Sequence, residues 1–364
     1  MQKIRQFKKK APKKVALSKK TLPNNFFPYI LTIILHIKKD FASKELLDRS
    51  LNLLYNNENK NFQFIVVCYS KDKTIIKLLE IYEKNQEISS FFKVYYVLEK
   101  VNDFDDFELA NDNFVESHVD IFAKAFSDIQ GKYVKFLEVS DWLNTQELLN
   151  IIDILPSLST DLVITDQINI SKNNTYSQIN YKKWFKSSSF FKIKFFNFKK
   201  NIFCLESIIF KNSILKKFSF HLQPENVYFP IQFLSLILSF SKNGMYYPKN
   251  LHYHVKQEPV PIKFHFEEFF LIMKSFFEID ESLFLFEQKK TYGIFLRMII
   301  SYAIYSLKKN QQNSEKIKKL LINFLTKVSS RKSLVLSWKI KLFLKLKGNK
   351  ISLLFFTKKS NILF

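Results

Sequence analysis

The sequence is poor in cysteine and glycine, and neither end carries acid. Its 2 cysteines in 364 residues, Cys68 and Cys204, are too few and too isolated for a disulfide framework or a thiolate metal site, which fits a reducing cytoplasm. Only 4 glycines stand against 41 phenylalanines, a skew of the kind an AT-rich genome imposes, so richness in Phe and Lys is set aside as a functional signal. The basic N-terminal residues are followed by no continuous apolar stretch, which argues against a signal peptide. The most apolar late stretch, Ile294 to Leu307, is broken by Arg297 and falls short of the roughly 20 residues that span a bilayer. Any membrane contact is therefore expected to be peripheral.

What is present in excess is positive charge. The formal balance is +24, with 9 basic residues between Lys3 and Lys20, no acid in that stretch and none after Glu315. A balance that basic implies a polyanionic surface nearby, either anionic lipid or nucleic acid. With 47% hydrophobic and 25% charged residues, the composition is globular.

Along the chain, residues 1–27 read as a basic arm closed by Pro23 and the Asn24-Asn25 pair. Leu31 to Ile37 is an apolar run of strand length, followed by Asp40 as an expected N-cap and a helical pattern through Leu46, Leu47, Leu51 and Leu54. Phe62 to Tyr69 and then Ile75, Leu78, Leu79 and Tyr82 repeat the unit. Phe92 to Leu98 supplies a third strand, Val115 to Phe126 a helix, and Tyr133 to Leu137 a fourth strand. This alternation predicts an α/β fold with a mostly parallel central sheet and flanking helices. Ligands in such sheets bind beyond the carboxyl ends of the strands, which draws attention to the segments after Val67 and after Leu137. Further on, Asp161 to Thr165 reads as a strand, 171–201 as loops with short strands, Asn226 to Phe240 as a helix and Leu251 to Lys256 as a strand. A boundary at Glu258-Pro259-Val260-Pro261 separates a domain over 28–258 from a basic helical extension over 259–364.

With Thr32-Ile33-Ile34-Leu35, the segment from Phe64 to Thr74 and the stretch from Gly131 to Trp142 in that order and spacing, residues 30–256 resemble family-2 glycosyltransferases. Thr32-Ile33-Ile34-Leu35 is similar to the family's opening strand, and the segment from Phe64 to Thr74 to its second strand and Ser-x-Asp-x-Thr turn. Gly131-Lys132-Tyr133-Val134-Lys135-Phe136-Leu137-Glu138-Val139-Ser140-Asp141-Trp142 is the strongest match. The resemblance implies a GT-A, Rossmann-like fold that binds a nucleotide sugar of the UDP type and, if active, transfers the sugar with inversion. It also implies a divalent cation, Mg2+ or Mn2+, whose charge offsets that of the diphosphate leaving group.

Carried over residue by residue, the resemblance places the degenerate DXD motif at Glu138, Ser140 and Asp141. Ser140 stands where the family has its metal-binding acid, which leaves Glu138 and Asp141 as the carboxylates for a cation. The acids that read uridine fall on Val67 and Cys68, while Ser70 and Asp72 keep the turn and Lys124 partly replaces a nucleotide-holding arginine; His36, by its place at the end of a strand, is expected either at the pocket mouth or as a solvated or capping residue. The general base falls on the pair Glu225-Asn226; Asn226 cannot take a proton, so Glu225 would have to do so. His252 and His254 share one face of a strand, and His254 would complete a metal site; the alternative is that both are edge-strand residues beside the basic surface.

The last part, Trp338-Lys339-Ile340-Lys341-Leu342-Phe343-Leu344-Lys345-Leu346-Lys347, is both oily and cationic, which suits an anionic leaflet. The expectation is a cytoplasmic enzyme peripheral to the inner face of the cell membrane, acting on a surface polysaccharide or lipid acceptor. The losses at several motifs support a second reading, an inactive scaffold that partners another glycosyltransferase. A third, nucleic-acid binding, rests on charge and on aromatics interleaved with Lys, and no recognised nucleic-acid module accompanies them.

Overall fold

A computed structural model describes residues 27–38, 41, 43–56, 61–96, 124–171, 175–182, 185, 190–193, 205–217 and 229–255, with isolated positions from 315 onward. The basic arm, Asp40, Glu225, Asn226 and nearly all of the C-terminal extension lie outside the described residues.

The strands are β1 (Tyr29–Ile37), β2 (Phe62–Cys68), β3 (Phe92–Tyr96), β4 (Gly131–Glu138), β5 (Trp142–Leu143), β6 (Leu162–Ile170), β7 (Tyr176–Ile179), β8 (Phe190–Lys192), β9 (Ile208–Lys211) and β10 (Asn243–Val255). The helices are α1 (Lys44–Leu51), α2 (Lys73–Lys84), α3 (Thr145–Ile154), α4 (Asn212–Leu215) and α5 (Phe229–Phe240). All ten strands among the described residues join one sheet, in the order β3-β2-β1-β4-β9-β6-β10-β5, with β7 beside β6 and β8 beside β10. The first four are parallel, as the strand and helix alternation predicts. Beyond β4 the sheet turns mixed, because β9 runs antiparallel between β4 and β6, while β10 is again parallel to β6.

The central strands are apolar at nearly every position because helices cover both sheet faces, the pattern that distinguishes buried parallel strands from half-exposed ones. On one face Leu31, Ile33, Leu35, Phe64 and Val66 pack with Leu47 and Leu51 of α1, Ile75 and Leu79 of α2, and Leu148 and Ile151 of α3. On the other, Phe126 stacks on Phe233 of α5, and Phe136 packs at a tilt against Phe229 and Phe233.

Local chemistry sets the helix starts. Asp72 caps α2, its Oδ1 accepting from the N–H groups of Thr74 at 2.7 Å and Ile75 at 3.2 Å. For α1 the cap is Ser43, whose Oγ accepts from Leu46 N–H. At the amino edge of the sheet Thr32, Gln63 and Gly131 interlock: Gly131 N–H donates to Thr32 Oγ1 at 2.9 Å, and Thr32 Oγ1 donates to Gln63 Oε1 at 2.8 Å. A Cβ on Gly131 would come within 2.5 Å of the Thr32 backbone nitrogen, so only glycine lets β1 and β4 approach there.

β10 is longer than the sequence pattern indicates. It begins at Asn243 and runs through Pro248, because register shifts between Tyr247 and His252 take up the proline that would otherwise end the strand. Those irregularities set the register in which His252 pairs with Gln167 and His254 with Asn169.

Candidate functional site

Strand β4 is central and ends at Glu138, where the chain turns back through a bond from Asp141 N–H to the Glu138 carbonyl at 2.9 Å. Ser50 of α1 tethers this turn, its Oγ lying 2.8 Å from the carbonyls of both Val139 and Asp141. The tether aims the Asp141 side chain inward.

There Asp141 is fully buried and saturated with donors. His252 donates Nε2–H to Oδ2 at 2.9 Å, His254 donates Nδ1–H to both oxygens at 3.2 Å, and Val255 N–H donates to Oδ1 at 3.1 Å. Burial alone would raise the Asp141 carboxyl, but the two imidazoles hold it well below the usual carboxylate range. Burial lowers His252 to about 4, against the pull of Asp141, so it is neutral and its second ring nitrogen is a bare acceptor. That Nδ1 is buried without a hydrogen-bond partner. Burial would also lower His254, yet its bond to Asp141, together with the charges of Asp141, Glu206 and Glu138, raises it to about 9. On the neighbouring face Trp142 stacks on Tyr253 with ring centroids 5.4 Å apart, under the Arg49 guanidinium at 4.8 Å.

Two further ionisable groups lie against this cluster. Lys135 of β4 is fully buried and donates from Nζ to the Glu206 carbonyl; burial lowers it to about 8 against the pull of Glu206 and Asp141. Burial, with the charges of Glu138 and Asp141, raises the Glu206 carboxyl.

The structure gathers some of the expected site residues and separates others. Asp141 and His254 meet, with Ser140 buried beside them, and at His252 strand β10 is flanked by β6 on one side and β5 on the other. The edge-strand reading is therefore corrected for His252, while His254 lies one residue beyond the pairing with β5 and is part-exposed. Glu138 is at the same end of β4 but pairs with Lys38 at 3.1 Å. His36, in register with both Val67 and Glu138, packs against Tyr69 and Phe229. Ser70 and Asp72 spend their side chains on the turn and cap, Ser70 Oγ donating to the Phe41 carbonyl at 2.7 Å. Cys68 is in the core, where burial pushes its thiol up to about 11. Lys124 is exposed on the turn of helix that feeds the amino end of β4, the end opposite Glu138.

Sequence reasoning did not single out Lys135, Glu206 or Ser50. One signal was available: a lysine at an inward position of a strand whose neighbours are all apolar.

Asp141, His252 and His254 each offer one ligand atom, and these lie within 4.8 Å of one another. The cation that the resemblance implies can be tested against that set. One carboxylate with two imidazoles is a donor set for a divalent transition ion, which would replace the ring N–H donations to Asp141 and shift the His252 proton to its unpartnered Nδ1. The residues fit a metal.

No family model matches the sequence, and no curated protein matches it. Among solved structures the chain is similar to S. aureus TarS residues 1–349 in complex with UDP, at TM-score 0.58 and 14% identity, covering 88% of both chains. The same fragment in complex with UDP-GlcNAc gives TM-score 0.59 at 14% identity, again over 88% of both chains. Against the longer S. aureus TarS structure the TM-score is 0.58 at 15% identity, with 89% of this chain and 54% of that chain covered. The fold is GT-A. Within that glycosyltransferase fold, the Asp141 cluster occupies the carboxyl end of the central parallel strands, where ligands of open α/β sheets bind.

Proposed function

We propose that the chain is a glycosyltransferase of the family-2 type, moving a sugar from a UDP-type nucleotide sugar to a glycan or lipid acceptor at the inner membrane face. The observation that carries this reading is the buried Asp141 with its two histidines at the end of β4, in a fold shared with a protein crystallised with UDP and UDP-GlcNAc. Asp141, His252 and His254 would hold a divalent cation, and a donor set with two imidazoles favours Mn2+ over Mg2+. When bound, such an ion offsets the diphosphate charge that grows as the glycosidic bond breaks.

The test is calorimetric titration of the full chain with UDP, with and without MnCl2. Metal-dependent binding that Asp141→Ala weakens by about tenfold or more is the expected result. The second reading, an inactive scaffold that partners another glycosyltransferase, is favoured by Val67 and Cys68, which are buried and apolar where the family reads uridine with acids. No detectable binding of UDP or other nucleoside diphosphates would leave that reading in place.

A further inference from the structure

Three carboxylates gather at the carboxyl end of the sheet, and two of them are committed. Glu138 is paired with Lys38, and Asp141 accepts from His252, His254 and Val255. Glu206 differs. Among the described residues no cation lies within ion-pair distance of its carboxyl, which is half-buried and takes a hydrogen bond from its own backbone N–H.

Its backbone, in contrast, is pinned. The turn Leu205–Ser207 leads into β9, and both of its later carbonyls are held from neighbouring strands. Lys135 Nζ of β4 donates to the Glu206 carbonyl, and Thr165 Oγ1 of β6 donates to the Ser207 carbonyl at 3.2 Å. A carboxyl on a fixed turn at the Glu138 end of β4, with no ion pair among the described residues, is placed to exchange a proton with a ligand. Among the described residues, the charges that act on it are those of Glu138 and Lys135 of β4, Asp141 in the turn after β4, and His254 of β10, the last opposing the other two acids. Burial and the two like charges raise its proton affinity, which suits a base working near neutrality.

We propose that Glu206 is the general base, accepting the proton of the hydroxyl that attacks the sugar. This rests on the transferase reading above. The acceptor oxygen forms its bond to the anomeric carbon while its proton passes to the Glu206 carboxylate. The bond from that carbon to the diphosphate oxygen breaks, and its electron pair leaves with the nucleoside diphosphate. Lys135 is a positioning residue that acts through the Glu206 carbonyl.

UDP release from UDP-GlcNAc tests this in the full chain with MnCl2, with water standing in for the acceptor and UDP affinity measured in parallel by calorimetry. Glu206→Gln is expected to lower release by about a hundredfold or more, while UDP affinity stays within about twofold and Glu206→Asp retains more activity than Gln. The proposal is overturned if Glu206→Gln keeps more than about a tenth of the rate, or if Glu225→Gln alone abolishes it. A wild-type chain that binds UDP but releases none from UDP-GlcNAc also counts against Glu206, because the same carboxylate would activate water. Failure of the wild-type chain to bind UDP would instead remove the transferase reading, and this proposal with it.

Discussion

His36 shows how a residue at the mouth of the expected pocket is governed by its surroundings. Its ring meets Tyr69 edge-on at 5.3 Å and tilts against Phe229, so burial, with Lys38 adding to it, lowers it from the usual 6.5 to about 3. A histidine held neutral in the folded state favours folding above its unfolded value and loses that advantage as protons bind the unfolded chain. Stability should therefore fall on acidification by roughly 1.4 kcal/mol per pH unit between about 6.5 and 3, from this residue alone. His252, lowered by burial to about 4, acts in the same direction. Replacing His36 by Phe should flatten the acid limb of a plot of denaturation midpoint against pH, whatever it does to the midpoint at pH 7. An unchanged slope would mean that the imidazole is hydrated in solution.

At the scale of elements, β4 carries both the stability of the sheet and the candidate chemistry, and Lys135 sets the two against each other. Its backbone lies between Ile33 of β1 and Ile209 of β9, and its buried ammonium donates to the Glu206 carbonyl. A lysine lowered from 10.5 to about 8 is charged at neutral pH at a cost of about 3 kcal/mol relative to a solvated one. That cost is present below pH 8 and disappears as pH rises toward 10.5. Lys135→Met, similar in length and without charge, should thus raise the urea midpoint at pH 7 while slowing UDP release. A variant that is both less stable and fully active would contradict the positioning role.

The same strand shows what sequence can disclose. β1 and β2 were legible because covered parallel strands are continuous apolar runs, and the match from Gly131 to Trp142 located β4 and Asp141. The length of β10 was not, because a proline inside a strand is tolerated only where register shifts absorb it, which is a tertiary fact. Glu206 was also hidden. Its importance comes from Lys135 and Asp141, about 70 residues away in sequence, and no local pattern joins them.

At the scale of the whole molecule, the +24 charge and the oily, cationic segment from Trp338 to Lys347 belong to one argument. A transferase with a lipid-linked or surface-glycan acceptor gains from being held at the membrane, and no described helix is long and apolar enough to cross one. On the proposed function, attraction to anionic lipid would supply the alternative, at about 1 kcal/mol for each lysine close to the surface. Exchanging Lys339, Lys341, Lys345 and Lys347 for Gln in the full chain should then weaken partition onto phosphatidylserine-containing vesicles by about a hundredfold or more. The wild-type chain should lose affinity as salt rises, because screening shortens the reach of each charge to about 8 Å at physiological ionic strength. Vesicle sedimentation across a salt series measures both effects. Equal sedimentation of the two proteins, or binding of the wild type that ignores salt, would assign the charge to another partner, and nucleic acid would be the next polyanion to titrate.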